Sequence, residues 1–534
     1  MVNGKLLMFN GWVARFLKTV GVTLFLLFLV QQAGAEPEWQ RKVDPFLLAA
    51  VQARPAGESA PQTEFLVRMA AQADLSAAAE IVDKTEKGTF VYEQLTAVAQ
   101  QTQASLLAQL AGMGVAEVRP FWITNMVWVR GDLDTIATVA QRSDVAYLYA
   151  NPQVALGVLP DVPEVGFRDT AVGAVNAIEW NISHIRADQV WEAGFTGQGV
   201  VIGGQDTGYD WDHPALINQY RGWDGSSANH NYNWHDAIEV NNEDCLGNSP
   251  EPCDDLDHGT HTLGIMVGND LVPTADGWPS AATHAIGVAP GAQWIGCRNM
   301  NNGYGTPESY TECYEWFVAP YPLGGNPMTD GDPGKAPHVI NNSWGCPPIE
   351  GCSPDILEAV VNNVRAAGIV TVHSAGNEGL GGCDTVQNPA ATYPASFTVG
   401  STDINDVIAG TSSRGPSTFD SGLKPDISAP GVNVRSTLPN GLYGTKSGTS
   451  MAAPHVAGVV ALLISANPAL AGDVDEIEAI LQETAVPRTS SQSCGGDRPT
   501  DVPNHVYGYG RVDALAPILQ QFPLKLYLPF SVSE

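Results

Sequence analysis

The octapeptide Gly448-Thr449-Ser450-Met451-Ala452-Ala453-Pro454-His455, followed by an apolar run from Val456 to Ile464, constrains this chain most. As a helix the run is apolar on every side, so it belongs inside a fold large enough to cover it all round. Pro454 fits such a helix only near its first turn, where a missing N–H costs little. Gly448, without a Cβ, allows a sharp turn and a close backbone approach. Ser450 is therefore predicted at or just before a helix N-terminus, where unpaired N–H groups favour developing negative charge. That setting suits a nucleophile.

A serine hydroxyl needs a base to take its proton and a third group to orient that base. The segment from Val200 to Gly208 reads as a short buried strand ending in Asp206 and a glycine turn. In an open parallel sheet, ligands bind beyond the carboxyl ends of the strands, which puts Asp206 where chemistry occurs. His258, in Asp257-His258-Gly259-Thr260-His261, is predicted to open a helix running through Leu263, Ile265 and Met266. His258 and His261 stand one helical turn apart, but no His-Glu-x-x-His pattern or neighbouring cysteine pair points to zinc, so no metal ligand is predicted. His261, His373 and His455 read as hydrogen-bonded core histidines.

Asp206-Thr207-Gly208, His258-Gly259-Thr260-His261 and the segment from Gly448 to Pro454 resemble the three signatures of the subtilisin-like serine proteases, in the order Asp, His, Ser. The similarity continues through Gly287-Val288-Ala289-Pro290, Asn342-Ser343-Trp344-Gly345, Ala375-Gly376-Asn377-Glu378-Gly379 and Lys424-Pro425-Asp426. Glu179-Trp180-Asn181 and His213-Pro214-Ala215-Leu216 place it nearest the bacillopeptidase F-like branch. The resemblance implies a three-layer α/β/α fold with a mostly parallel sheet. It also implies that Ser450 attacks a peptide carbonyl, His258 moves the proton, Asp206 orients His258, and Asn377 joins the Ser450 N–H in holding the oxyanion. Ser343-Trp344-Gly345 and Gly303-Tyr304-Gly305 resemble the two edges that hold an extended substrate by strand addition. Trp344 and Tyr304 read equally well as core packing. Ala375 and Gly376 belong to the specificity-pocket wall, with its base near Val386 to Pro389, where the family pattern shifts by a residue. Ala215 stands where many subtilisins carry a tight calcium ligand, so calcium is not expected there and no cofactor is required. The acidic loops Glu243 to Asp257 and Asp330 to Asp332 read chiefly as solvated, with weak calcium binding as the alternative. Insertions around Asn229 to Asp257 and Pro320 to Pro337 are expected to reshape the cleft rim and accessory loops.

Lys5, Arg15 and Lys18, the apolar run Val20 to Val30, and Ala33-Gly34-Ala35 read as a signal peptide over residues 1–35 and hence a secreted protein. Residues 36–160 carry the pattern of a ferredoxin-like α+β unit. Its predicted elements are a strand over Thr63 to Ala70, a helix from about Phe90 to Leu110, strands over Val115 to Pro120 and Met126 to Arg130, a helix capped by Asp132, and a strand over Ala146 to Ala150. Placed before a subtilisin-like domain, the unit resembles an inhibitory prodomain. Ala155 to Val175 reads as an exposed connector, with self-cleavage expected between about Tyr149 and Ile178. The catalytic domain is expected over 179–515 and a tail over 516–534, with Phe522 to Phe530 as an edge strand or a sorting tail. All eight cysteines lie in the protease-like region. Local spacing favours Cys245 with Cys253, Cys297 with Cys313 and Cys346 with Cys352, leaving Cys383 for Cys494. A formal charge of −31 speaks against nucleic-acid or anionic-membrane binding. The expected partners are protein or peptide substrates and the chain's own prodomain, on a monomer.

Overall fold

The apolar run behind Ser450 does form a helix, Thr449–Ala466, buried throughout except at Ser465. The computed structural model describes residues 37–52, 62–157, 178–269 and 285–522. Pro454 lies in the second turn of the helix, deeper than predicted.

Beside this helix a seven-stranded sheet runs in the order Ile427–Pro430, Phe397–Thr402, Val370–Ser374, Val339–Asn342, Val201–Asp206, Gln293–Arg298, Trp234–Asp236. Every neighbouring pair is parallel. Successive residues of a strand face opposite ways, and Val339 packs in one apolar cluster while Ile340 packs in another. The first cluster holds helices His258–Val267 and Thr449–Ala466, and the second holds Pro307–Val318 and Glu358–Ala366. The fold is thus the expected α/β/α sandwich. Thr449–Ala466 is long and apolar enough to cross a membrane by length and composition, but 94% of it is buried inside the protein.

The first unit is a four-stranded antiparallel sheet in the order Val118–Phe121, Met126–Gly131, Thr63–Met69, Val145–Ala150, with helices Lys84–Gly112 and Leu133–Ala140. This is the predicted β-α-β-β-α-β arrangement. The long helix begins at Lys84 rather than near Phe90, because Asp83 accepts the Glu86 N–H at 2.9 Å. Gly88 does not break it. A Cβ there would sit 3.3 Å from Pro333, so the glycine permits close packing on the larger domain. The next strand starts at Val118 rather than Val115, since the Val115 N–H closes the helix end on the Leu110 carbonyl at 3.1 Å.

The insertions do more than shape a rim. Residues 229–257 add the edge strand Trp234–Asp236 to the sheet. Residues 320–337 dock the long helix: the Tyr92 hydroxyl donates to the Pro327 carbonyl at 3.1 Å and Lys84 Nζ to that of Ala336 at 3.2 Å. The four disulfides pair as spacing suggested. The segment read as a signal peptide, the connector beyond Gly157 and, past Phe522 itself, the edge strand expected over Phe522 to Phe530 lie outside the described residues.

Candidate active site

Asp206 ends the strand at which the sheet order reverses. The next two strands of this sheet in sequence, Trp234–Asp236 and Gln293–Arg298, lie on one side of it, and Val339–Asn342 with its successors on the other. Such a switch point opens a crevice beyond the carboxyl ends of the strands. Residues 300–305, 343–345 and 375–377 follow the carboxyl ends of Gln293–Arg298, Val339–Asn342 and Val370–Ser374, at that same end of the sheet.

Asp206 is fully buried, and its Oδ1 accepts the Thr207 N–H at 2.8 Å and lies 2.7 Å from His258 Nδ1. With Nδ1–H donated to the carboxylate, His258 keeps Nε2 as an acceptor. The close approach of strand and helix requires Gly259, where a Cβ would fall 2.1 Å from the Gly208 carbonyl oxygen. Asp254 clamps the same junction. It accepts from the Thr207 hydroxyl at 2.7 Å, the Thr260 hydroxyl at 2.6 Å and the Thr260 N–H at 2.9 Å. Burial pushes its carboxyl up to about 6 despite these donors. Asp254 sits in the acidic loop that the sequence reads as solvated.

Ser450 occupies the second position of its helix, after Gly448 at φ +149°. Its hydroxyl donates to the Ser343 carbonyl at 3.2 Å, and no hydrogen bond joins Ser450 to His258 among the described residues. Pro454 has no N–H to give the Ser450 carbonyl four residues back. The Ser343 hydroxyl takes that place, donating to the Ser450 carbonyl at 2.9 Å. Asn377 is fixed from the other side, its Oδ1 accepting the Thr449 N–H at 3.0 Å and the Thr449 hydroxyl at 3.1 Å. That leaves its amide hydrogens facing the cleft.

The cleft is filled by the chain itself. Val154 and Ala155 pair antiparallel with Gly305 and Tyr304, and the Leu156 N–H donates to the Gly303 carbonyl at 2.7 Å. Asn377 Nδ2 donates to the Gly157 carbonyl at 3.0 Å. The segment from Ala155 therefore starts as an edge strand, not as an exposed connector. Tyr304 contributes backbone to this pairing and is 48% exposed. Trp344 is buried and stacked on Tyr310 with ring centroids 3.9 Å apart, a wall beneath the segment. Gly345 and Gly376 both close on Asn388, next to the buried Ala375: a Cβ on Gly345 would lie 2.9 Å from Asn388 Cβ, and one on Gly376 3.2 Å from Asn388 Nδ2.

His373 and His455 are bonded core histidines, to Tyr314 at 3.3 Å and to Asn181 at 2.8 Å and Met451 at 2.8 Å, and burial pushes them down to about 3 and about 4. His261 meets the Gly444 carbonyl at 3.2 Å, with burial holding it well below the usual histidine range. Ala215 is buried with Ile286 and Tyr443 in an apolar cluster.

A parallel sheet with a carboxylate–imidazole pair at its switch point, and a serine at a neighbouring helix start, is the architecture of an α/β/α serine peptidase. A model of the subtilase family matches residues 197–510, more than half of the chain. The chain is 38% identical to Bacillopeptidase F of Bacillus subtilis (strain 168) over 84% of its own length and 29% of that protein. It is 31% identical to Subtilisin E of the same organism over 55% of this chain and 62% of that protein, and 33% identical to Subtilisin Savinase of Lederbergia lenta over 55% and 86%. The chain belongs to the subtilase family, in the branch of Bacillopeptidase F, although it spans less than a third of that relative's length.

Proposed function

We propose that this chain is a secreted serine endopeptidase that cuts itself free of residues 36–157 and then cleaves other proteins. Ser450 is the nucleophile. Its hydroxyl proton passes to His258 Nε2 as Oγ bonds to the substrate carbonyl carbon, and Asp206 stabilises the imidazolium that results. His258 then gives the proton to the departing amine as the C–N bond breaks. Water, deprotonated by the same imidazole, releases the acyl group from Ser450. The Asn377 amide and the Ser450 N–H stabilise the oxyanion in both steps. Substrate lies extended along residues 303–305, with residues 343–345 and 375–376 walling its terminal side chain.

The observation that carries this reading is the Gly157 carbonyl on Asn377 Nδ2 at 3.0 Å, at the end of a strand added to residues 303–305. A substrate's acyl half would be held in the same way. The maturation bond is therefore Gly157–Val158, and the first unit is the inhibitor that remains. Buried contacts support that role: Glu315 accepts the N–H groups of Trp122 and Ile123 at 2.7 and 3.0 Å, and the Tyr149 hydroxyl donates to Asp355 at 2.8 Å.

The chemistry calls for no cofactor, and no nucleic-acid partner is proposed for a chain of charge −31. N-terminal sequencing of the secreted enzyme tests the proposal. The expected first residue is Val158, with Ser450→Ala accumulating as precursor. Efficient maturation of Ser450→Ala in a protease-free host, or a mature start near Glu36, would overturn it.

A further inference from the structure

We propose that Glu350 is a substrate-binding residue, whose carboxylate grips the backbone N–H of the third residue before the cleaved bond. The inference rests on reading residues 154–157 as the acyl half of a substrate. Along an extended strand, successive backbone N–H groups point to opposite sides. The Leu156 N–H is taken by the Gly303 carbonyl at 2.7 Å, so the Ala155 N–H faces away from residues 303–305. There it donates to Glu350 Oε2 at 3.0 Å. Sequence alone would assign that side to the backbone of Ser343-Trp344-Gly345, yet the bond comes from a side chain further along.

The local fold explains how the carboxylate arrives. Directly after Gly345 the chain enters a loop closed by Cys346–Cys352. Pro347 and Pro348 begin a short helical turn, Pro348–Glu350, and Gly351 reverses the chain at φ +100°. Ile349 is left 90% exposed while Glu350 is half-buried over the segment. A small loop with a crosslink and two prolines holds its acid with little entropy left to lose. An ionised acceptor makes a stronger bond to an N–H than a neutral carbonyl does. The predicted substrate is a chain with a free amide N–H at this position, so proline there is disfavoured.

The test compares a tetrapeptide anilide with its depsipeptide twin, in which an ester oxygen replaces only that N–H, using the full chain after maturation. For the wild type, kcat/KM should fall by about 10- to 100-fold on the ester, the usual range for a bond to a charged group. Glu350→Ala should lose a similar factor on the ordinary peptide and almost nothing further on the ester. Glu350→Gln, which keeps an acceptor oxygen, should fall between, and it carries the same comparison if Glu350→Ala does not mature. An ester penalty equal to that of the wild type in these variants, or a Glu350→Ala enzyme within twofold of wild type on the amide, overturns the inference. A small fluorophosphonate has no such N–H and should label Ser450 of Glu350→Ala at the wild-type rate. A wild type that neither turns over peptide nor takes the label refutes the peptidase reading itself.

Discussion

Ser343→Ala should damage the nucleophile's setting without touching its hydroxyl, and Pro454→Ala should repair it. In the wild type the Ser343 hydroxyl donates to the Ser450 carbonyl at 2.9 Å and accepts Asn341 Nδ2 at 3.0 Å, with both partners buried. Removing the hydroxyl leaves two buried polar groups unpaired, at about 1–3 kcal/mol each before relaxation. A loss of about 2–4 kcal/mol is expected, a fall in Tm on the order of 5 °C for a chain of this size. Alanine at 454 restores an N–H four residues beyond Ser450, giving the orphaned carbonyl a helical donor. Pro454→Ala alone changes chain entropy and helix propensity as well, so the informative quantity is the coupling in a double-mutant cycle. Thermal unfolding of the four proteins, in matured form, should give a coupling of about 1 kcal/mol or more in the rescuing direction. Strict additivity would refute the claim that Ser343 substitutes for the donor Pro454 lacks.

Asn377→Ala should lower kcat by about 10² to 10³ with KM little changed, because the amide acts on charge that develops in the transition state; a loss confined to KM would contradict this. Added residues 37–157 should inhibit the mature enzyme more weakly as pH rises from 6 to 9. Burial pushes Glu315 up to about 8 in the complex, and burial also raises Glu308, which pairs with Arg119 and lies near the charges of Glu312 and Glu64. Freed of the unit, Glu315 returns toward 4.5, so binding takes up a proton; affinity is full below about 4.5 and fades as pH passes through the bound value. An inhibition constant flat over that range would argue against it. Asn388→Gly should admit larger residues before the cleaved bond, raising kcat/KM for phenylalanine relative to glycine or alanine by at least about tenfold, within the reach of a few apolar carbons; an unchanged profile would show that Asn388 does not limit the pocket.

Much of the site is legible in the sequence because its parts are local. Asp206-Thr207-Gly208 writes a strand end, and Gly448 before an apolar run writes a helix start. Each can be read without knowing what it meets. The disulfides follow from short spacings that leave one distant pair. What escaped reading depends on elements meeting in space. Asp254 looks like one more acid in a wet loop until Thr207 and Thr260 close over it. The helix start near Phe90 misses Gly88, whose place in the helix depends on close packing against Pro333. Glu350 carries no signal in its neighbours, since its role exists only because Ala155 turns an N–H toward it. Pro454 reads as a first-turn residue until Ser343 is seen to supply the missing donor.

The most direct measurement is mass-spectrometric mapping of the residue modified by a fluorophosphonate in the matured protein, alongside peptide hydrolysis. The expected result is a single adduct on Ser450, strongly slowed in His258→Ala and Asp206→Asn and absent together with turnover in Ser450→Ala, each variant being freed of residues 36–157 by an added protease that is removed before the assay. Labelling elsewhere, or peptide hydrolysis that survives in Ser450→Ala, would contradict the assignment of Ser450 as the nucleophile.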